Sequence, residues 1–248
     1  MSLVNVHFLD VVKKQYAFKI RSYMGSILTL IILQIFAILL AVSTTNYYHS
    51  MDSIGISIKA QIYSSDIVVI FTILWSFITA ILMTTKAYRY DDYTFIATRM
   101  SSHLANIYYL ITVSLFASMT TMLAGIFIKS ITYFTSEAEI YYRATVSLTE
   151  YAIGFGASFL YMFVVAMIGY TIGLFVQWNR LFAIFIPVLF VGGLFYLTEH
   201  PQSPIFKTLI KFYFQESSFN QFFIKSVTII LALFLLTSLI SKRLEVRQ

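Results

Sequence analysis

From Tyr151 to Asn179 the chain carries no Asp, Glu, Lys or Arg. A helix that crosses the hydrocarbon core of a bilayer needs about 20 apolar residues. In that medium the backbone polar groups are satisfied only inside a helix or a closed barrel. This run therefore restricts the fold more than any other feature. It belongs to a longer stretch, Gly154 to Gly193, with glycines on helical spacing, a short polar break at Gln177-Trp178-Asn179-Arg180 and a second apolar segment carrying Pro187. The stretch reads as two membrane helices joined by a tight polar turn.

Further charge-free runs lie between Arg21 and Asp52, Asp66 and Lys86, Arg99 and Lys129, Arg180 and Glu199, and Lys225 and Lys242. Together they predict an all-α polytopic membrane protein with six transmembrane helices, at roughly 24–43, 67–85, 104–128, 151–176, 181–197 and 223–241, in one transmembrane domain over 1–248. Composition agrees: 59% of residues are hydrophobic and 11% charged, where a soluble domain carries about a quarter charged. Cysteine is absent, which excludes disulfides and thiolate metal sites. The net charge of +6 is no sign of nucleic-acid binding, because the basic residues cluster at the ends of apolar runs.

Loop charges set an expected orientation. With the N-terminus in the cytoplasm, eleven of the 17 Lys and Arg fall inside and six outside, so both termini are expected in the cytoplasm.

Residues 3–21 precede the first span. Phe8, Leu9, Val12, Tyr16 and Ile20 share one side of a helical wheel, with Asp10, Lys14 and Arg21 opposite, and Val11, Phe18 and Lys19 interrupt the pattern. A basic amphipathic helix on the bilayer is one reading and a plain positive-inside flank the other. A cleavable signal peptide fits poorly, since the apolar run is too long and the basic region lies too far in. Residues 44–65 read as an outside loop. Residues 86–103, KAYRYDDYTFIATRMSSH, form the most polar inside connection. A short helix there would have Asp91 and Asp92 near its start and Arg99 near its end, an order that suits the helix dipole. It is either a docking element or a solvated loop. After Pro201 and Pro204, residues 204–217 read as a short amphipathic helix, interfacial or re-entrant.

Gly169 and Gly173 form a G-x-x-x-G, a spacing that lets helices approach closely. Pro187 and Gly192-Gly193 give the fifth span a place to bend. Phe36, Phe71, Trp75, Phe77, Phe116, Phe159, Tyr161 and Phe163 lie mid-span and are candidates to line an apolar pathway, or simply to pack. No span interior carries an ionisable acid or base of the kind that coupled transporters use, and His7, His49, His103 and His200 fall at or beyond span ends without metal or haem spacing. No Walker motif is present, so ATP hydrolysis would belong to another chain.

Taken in order, the elbow-like helix 3–21, the six spans, the inside element 88–102 and the element 204–217 before the last span resemble the type 2 permeases of ATP-binding-cassette exporters. The resemblance covers nearly the whole chain and is one of pattern rather than of a strict motif. It implies a second permease copy or homologue, and cytoplasmic ATPase subunits that hold the ATP and Mg, with no cofactor on this chain. It gives the ATPase-coupling role to Tyr93, Thr94, Phe95, Thr98 and Arg99, and a supporting role to the elbow helix with Lys13, Lys14, Tyr16 and Arg21. Small aromatic-rich permeases of this kind resemble those of Gram-positive plasma membranes that export peptides, including amphipathic toxins such as the staphylococcal phenol-soluble modulins. Lipid, drug or polysaccharide export stays open, as does a non-transport sensor or assembly factor.

Overall fold

A computed structural model describes residues 7–43, 46–51, 57–62, 64–88, 98–135, 147–199 and 218–245. Seven helices are named here: α1 (Phe8–Ser22), α2 (Met24–Ser43), α3 (Asp66–Leu82), α4 (Arg99–Thr135), α5 (Leu148–Trp178), α6 (Phe182–Glu199) and α7 (Phe219–Glu245). Of these, α2, α4, α5 and α7 are long and apolar enough to cross a membrane; α3 and α6 are shorter apolar helices. The architecture is that of a helical membrane protein.

Each helix starts and stops for a local reason. α1 ends at Tyr23, whose N–H still donates to Lys19 O, and α2 restarts at once as Ser26 N–H donates to Tyr23 O. α5 opens with a reciprocal capping box: Ser147 Oγ accepts from Glu150 N–H at 3.2 Å and the Glu150 carboxylate accepts from Ser147 N–H at 2.8 Å. It closes at Asn179, whose side-chain oxygen accepts from Leu181 N–H at 3.1 Å and so turns the chain into α6. α6 continues through Pro187.

The segment expected as a plain loop over 44–65 contains an antiparallel hairpin, β1 (Asn46–Met51) with β2 (Ser57–Ile62), in the register Asn46↔Ile62 through Met51↔Ser57. The hairpin apart, the described elements are helices.

The bundle has α5 at its centre, packed most extensively on α3 and α7, with α4 also against it. α2 presents Leu30, Gln34, Ala37 and Ala41 inward at helical spacing and leaves Leu28, Ile31, Ile32, Ile35 and Leu39 exposed. Outward Leu and Ile beside an inward Gln is the distribution a lipid solvent produces. Gln34 Nε2–H donates to Thr72 Oγ1 (3.2 Å) and Thr121 Oγ1 (3.1 Å), tying α2, α3 and α4 at mid-bundle. Gly169 and Gly173 lie on the α5 face that meets α3. A Cβ on Gly169 would stand 2.6 Å from Phe77 O, and one on Gly173 2.1 Å from Thr84 Oγ1. By contrast, Gly192 and Gly193 on α6 have no neighbour within 4 Å of an added Cβ among the described residues.

Candidate functional site at the Tyr23 end of the bundle

The α1–α2 junction, the end of α3 and the first turns of α4 meet at one end of the molecule. The Tyr23 ring packs edge-on against Tyr88 (centroids 4.5 Å) and Tyr109 (5.7 Å). The Tyr109 hydroxyl lies 2.6 Å from Ser26 Oγ, which itself donates to Tyr23 O at 2.7 Å. Tyr88 is the last described residue before the segment that leads into α4. The elbow junction is therefore in direct ring contact with the chain leading into that connection.

α1 crosses α4 rather than running along it. Tyr16 meets Thr112 by a 2.8 Å hydroxyl hydrogen bond and Tyr108 by an edge contact at 6.3 Å. Seven residues later, about 10 Å along the helix, Tyr23 meets Tyr109, one residue from Tyr108 and three from Thr112 on α4. Val12, Gln15 and Lys19 are buried, while Asp10, Lys13, Lys14, Ala17 and Arg21 form an exposed outward arc. Phe8 and Leu9, expected on the apolar side of the wheel, are exposed as well. The buried stripe is centred on Gln15 and Lys19, which the apolar count alone had set aside.

A second cluster sits in the first turns of α4. His103, expected at a span margin, is buried among α4, α5 and α7. Its Nδ1 lies 3.0 Å from the Tyr170 hydroxyl, and its Nε2 lies 3.2 Å from Ser238 Oγ and 3.5 Å from Thr237 Oγ1. The ring is stacked between Tyr170 (5.6 Å) and Phe234 (5.8 Å). Asn106 Nδ2–H donates to the Tyr170 hydroxyl at 3.2 Å. With that donation made, Tyr170 O–H is oriented to donate to His103 Nδ1, which leaves the imidazole proton on Nε2 to donate toward Ser238 and Thr237. Asn106 Oδ1 stays buried without a partner. His103 and Asn106 are one turn apart on one face of α4; that spacing, and the Thr237-Ser238 pair, were the sequence signals for this cluster.

Of the residues to which the resemblance gives a coupling role, Tyr93, Thr94 and Phe95 lie outside the described residues. Thr98 and Arg99 are described, but not at the end of a separate helix. Thr98 Oγ1 accepts from Ser101 N–H at 3.3 Å, and Arg99 is the first residue of α4. Of the expected element 88–102, residues 89–97 lie outside the described residues and 99–102 belong to the first turn of α4, which Thr98 caps. The element 204–217 also lies outside the described residues.

Of the eight pathway candidates, Trp75, Phe116, Phe159 and Phe163 share one core cluster. Phe36 and Phe71 pair edge-on between α2 and α3 (6.1 Å), Phe159 stacks on Phe163 within α5 (5.9 Å), and Tyr161 contacts Phe222 of α7 (4.7 Å). Trp75 is buried, with Nε1–H donating to Thr29 Oγ1 at 3.0 Å. Phe116 packs against the same core as Trp75, and Phe77 covers Gly169. Among the described residues no three or more His, Asp or Glu come together as a metal site.

Compared with models of known protein families, with curated proteins and with solved structures, the chain matches none.

Proposed function

We propose that this chain is the transmembrane permease subunit of an ATP-driven, type 2 ABC exporter, that it moves amphipathic or hydrophobic peptides through a pathway formed with a second permease, and that ATP hydrolysis resides in separate cytoplasmic subunits. The observation that carries this reading is the Tyr23 node. An amphipathic helix crosses the base of α4 and is in ring contact, through Tyr23 and Tyr88, with the chain entering the α3–α4 connection. A push on that connection from an ATPase would reach α2 and α4 at one point. In this reading α3 and α6 complete six spans, and both termini face the cytoplasm of a Gram-positive cell. α3 falls short of the usual length as a helix (17 residues), but residues 83–85 extend its apolar run.

The test is affinity purification of the tagged chain from its native membranes, with identification of what accompanies it. A stoichiometric ABC ATPase, whose ATP turnover changes when the permease is present, is the expected result. Stable isolation with no ATPase, and no effect on ATP turnover by the ATPase encoded nearest to it, would favour a sensor or assembly factor instead.

A further inference from the structure

We infer that the outward arc of α1 is a binding surface for anionic phospholipid headgroups. The geometry begins with direction. α4 is one of the helices able to cross a membrane, and α1 lies steeply across it: Tyr16 reaches Thr112 and Tyr23 reaches Tyr109, an advance of about 4.5 Å along α4 against about 10 Å along α1. A helix that crosses a membrane-spanning helix in this way runs along the plane of the bilayer.

Depth follows from the same contacts. From Tyr109 to Lys129, the next charged residue along α4, the rise is about 30 Å, the thickness of the hydrocarbon core. α2 covers the same distance from Tyr23 to its end at Ser43. Tyr16, Tyr23, Tyr88, Tyr108 and Tyr109 then lie at one interface, where tyrosine concentrates. α1 sits at headgroup level.

Chemistry names the occupant. The arc exposes Lys13, Lys14 and Arg21 against a single acid, Asp10. The other face of α1 is spent on α4, so these side chains point away from the bundle. Exposed Leu9 lies one turn from Lys13 on α1, and exposed Met24 follows Arg21 by three residues. Cations beside exposed apolar side chains at an interface match a lipid that offers a phosphate above acyl chains. A soluble acidic partner would have no use for those apolar side chains. This inference stands on the membrane placement alone and not on transport, so it is tested without an ATPase.

The experiment is native mass spectrometry of the purified full chain, released from detergent micelles that contain equal phosphatidylglycerol and phosphatidylcholine. The wild type should retain phosphatidylglycerol preferentially, and the preference should fall with added salt. K13Q/K14Q/R21Q should lower it by about a hundredfold, as loss of three surface cations implies. K13R/K14R/R21K keeps the charge and should retain it. All three positions are exposed, so helix content by circular dichroism should match the wild type in both variants. Equal retention of the two lipids by the wild type, or undiminished preference in the glutamine variant, overturns the inference. So does loss of a co-purifying acidic protein with the lipid preference intact.

Discussion

Tyr170 on α5 holds His103 on α4 by a 3.0 Å hydrogen bond to Nδ1 while also stacking on its ring at 5.6 Å. The polar contact fixes which nitrogen carries the proton, and the stack fixes the plane of the ring. Through Nε2 the same imidazole reaches Ser238 and Thr237 on α7. Three helices are thereby pinned by one side chain, four residues into the helix that follows the α3–α4 connection.

Tyr170→Phe keeps the stack and removes the hydroxyl. His103 Nδ1 and Asn106 Nδ2 would both lose a partner in a buried site, and thermal unfolding in detergent should move down by about 1–2 kcal/mol. Combined with His103→Leu, the loss should be clearly less than additive, because the two residues share one bond. Additive losses would show that the contact carries little energy.

Gly169→Ala and Gly192→Ala should act in opposite directions. The first forces a methyl toward the Phe77 carbonyl, which is backbone and cannot rotate away. It should destabilise by about 1–3 kcal/mol, as overpacking does. The second meets nothing within 4 Å and replaces a glycine within a helix, worth up to about 1 kcal/mol in favour of the variant. Paired melting curves in one detergent decide the matter.

Gln34→Leu should be nearly neutral, within about 1 kcal/mol. Thr72 and Thr121 donate to Val68 O and Ala117 O at 2.8 Å, so neither hydroxyl needs the glutamine as an acceptor. Gln34→Ala opens a void in the same place and should cost about 2 kcal/mol or more. If the leucine variant unfolds as readily as the alanine variant, the triad matters for its hydrogen bonds rather than its volume.

Arg99→Glu should abolish ATP-driven transport while leaving membrane insertion intact. Arg99 is the first residue of α4, where no acidic residue occupies the first turn. A carboxylate there favours the helix dipole by about 0.3–1 kcal/mol. Transport of a fluorescent amphipathic peptide into inverted vesicles, beside a melting curve, separates the two effects. Full transport would remove Arg99 from the coupling element.

The helix boundaries show what a one-dimensional pattern conveys. α2 occupies the span read from residues 24–43, since lipid exposure and charge exclusion are written into composition. α4 runs past the expected 104–128 at both ends, to Arg99 and Thr135. Its extra N-terminal turn is polar enough to look like loop, and it is helical because Thr98 caps it and His103 finds partners on other helices. The hairpin Asn46–Ile62 was missed because its pairing joins residues up to 16 positions apart, Asn46 with Ile62.

By itself the sequence determined that this protein is built from apolar helices, with a basic amphipathic segment ahead of the first. Those features follow from local transfer energies and spacing, which each segment carries on its own. Tertiary structure alone decided that His103 is a buried tie rather than a marginal residue, that Gln15 and Lys19 face inward, and that Trp75, Phe116, Phe159 and Phe163 share one core cluster. Each of these depends on which helix lies alongside, and that is set by packing between residues far apart in the chain: Tyr16 against Thr112, Tyr170 against His103, Gly173 against Thr84.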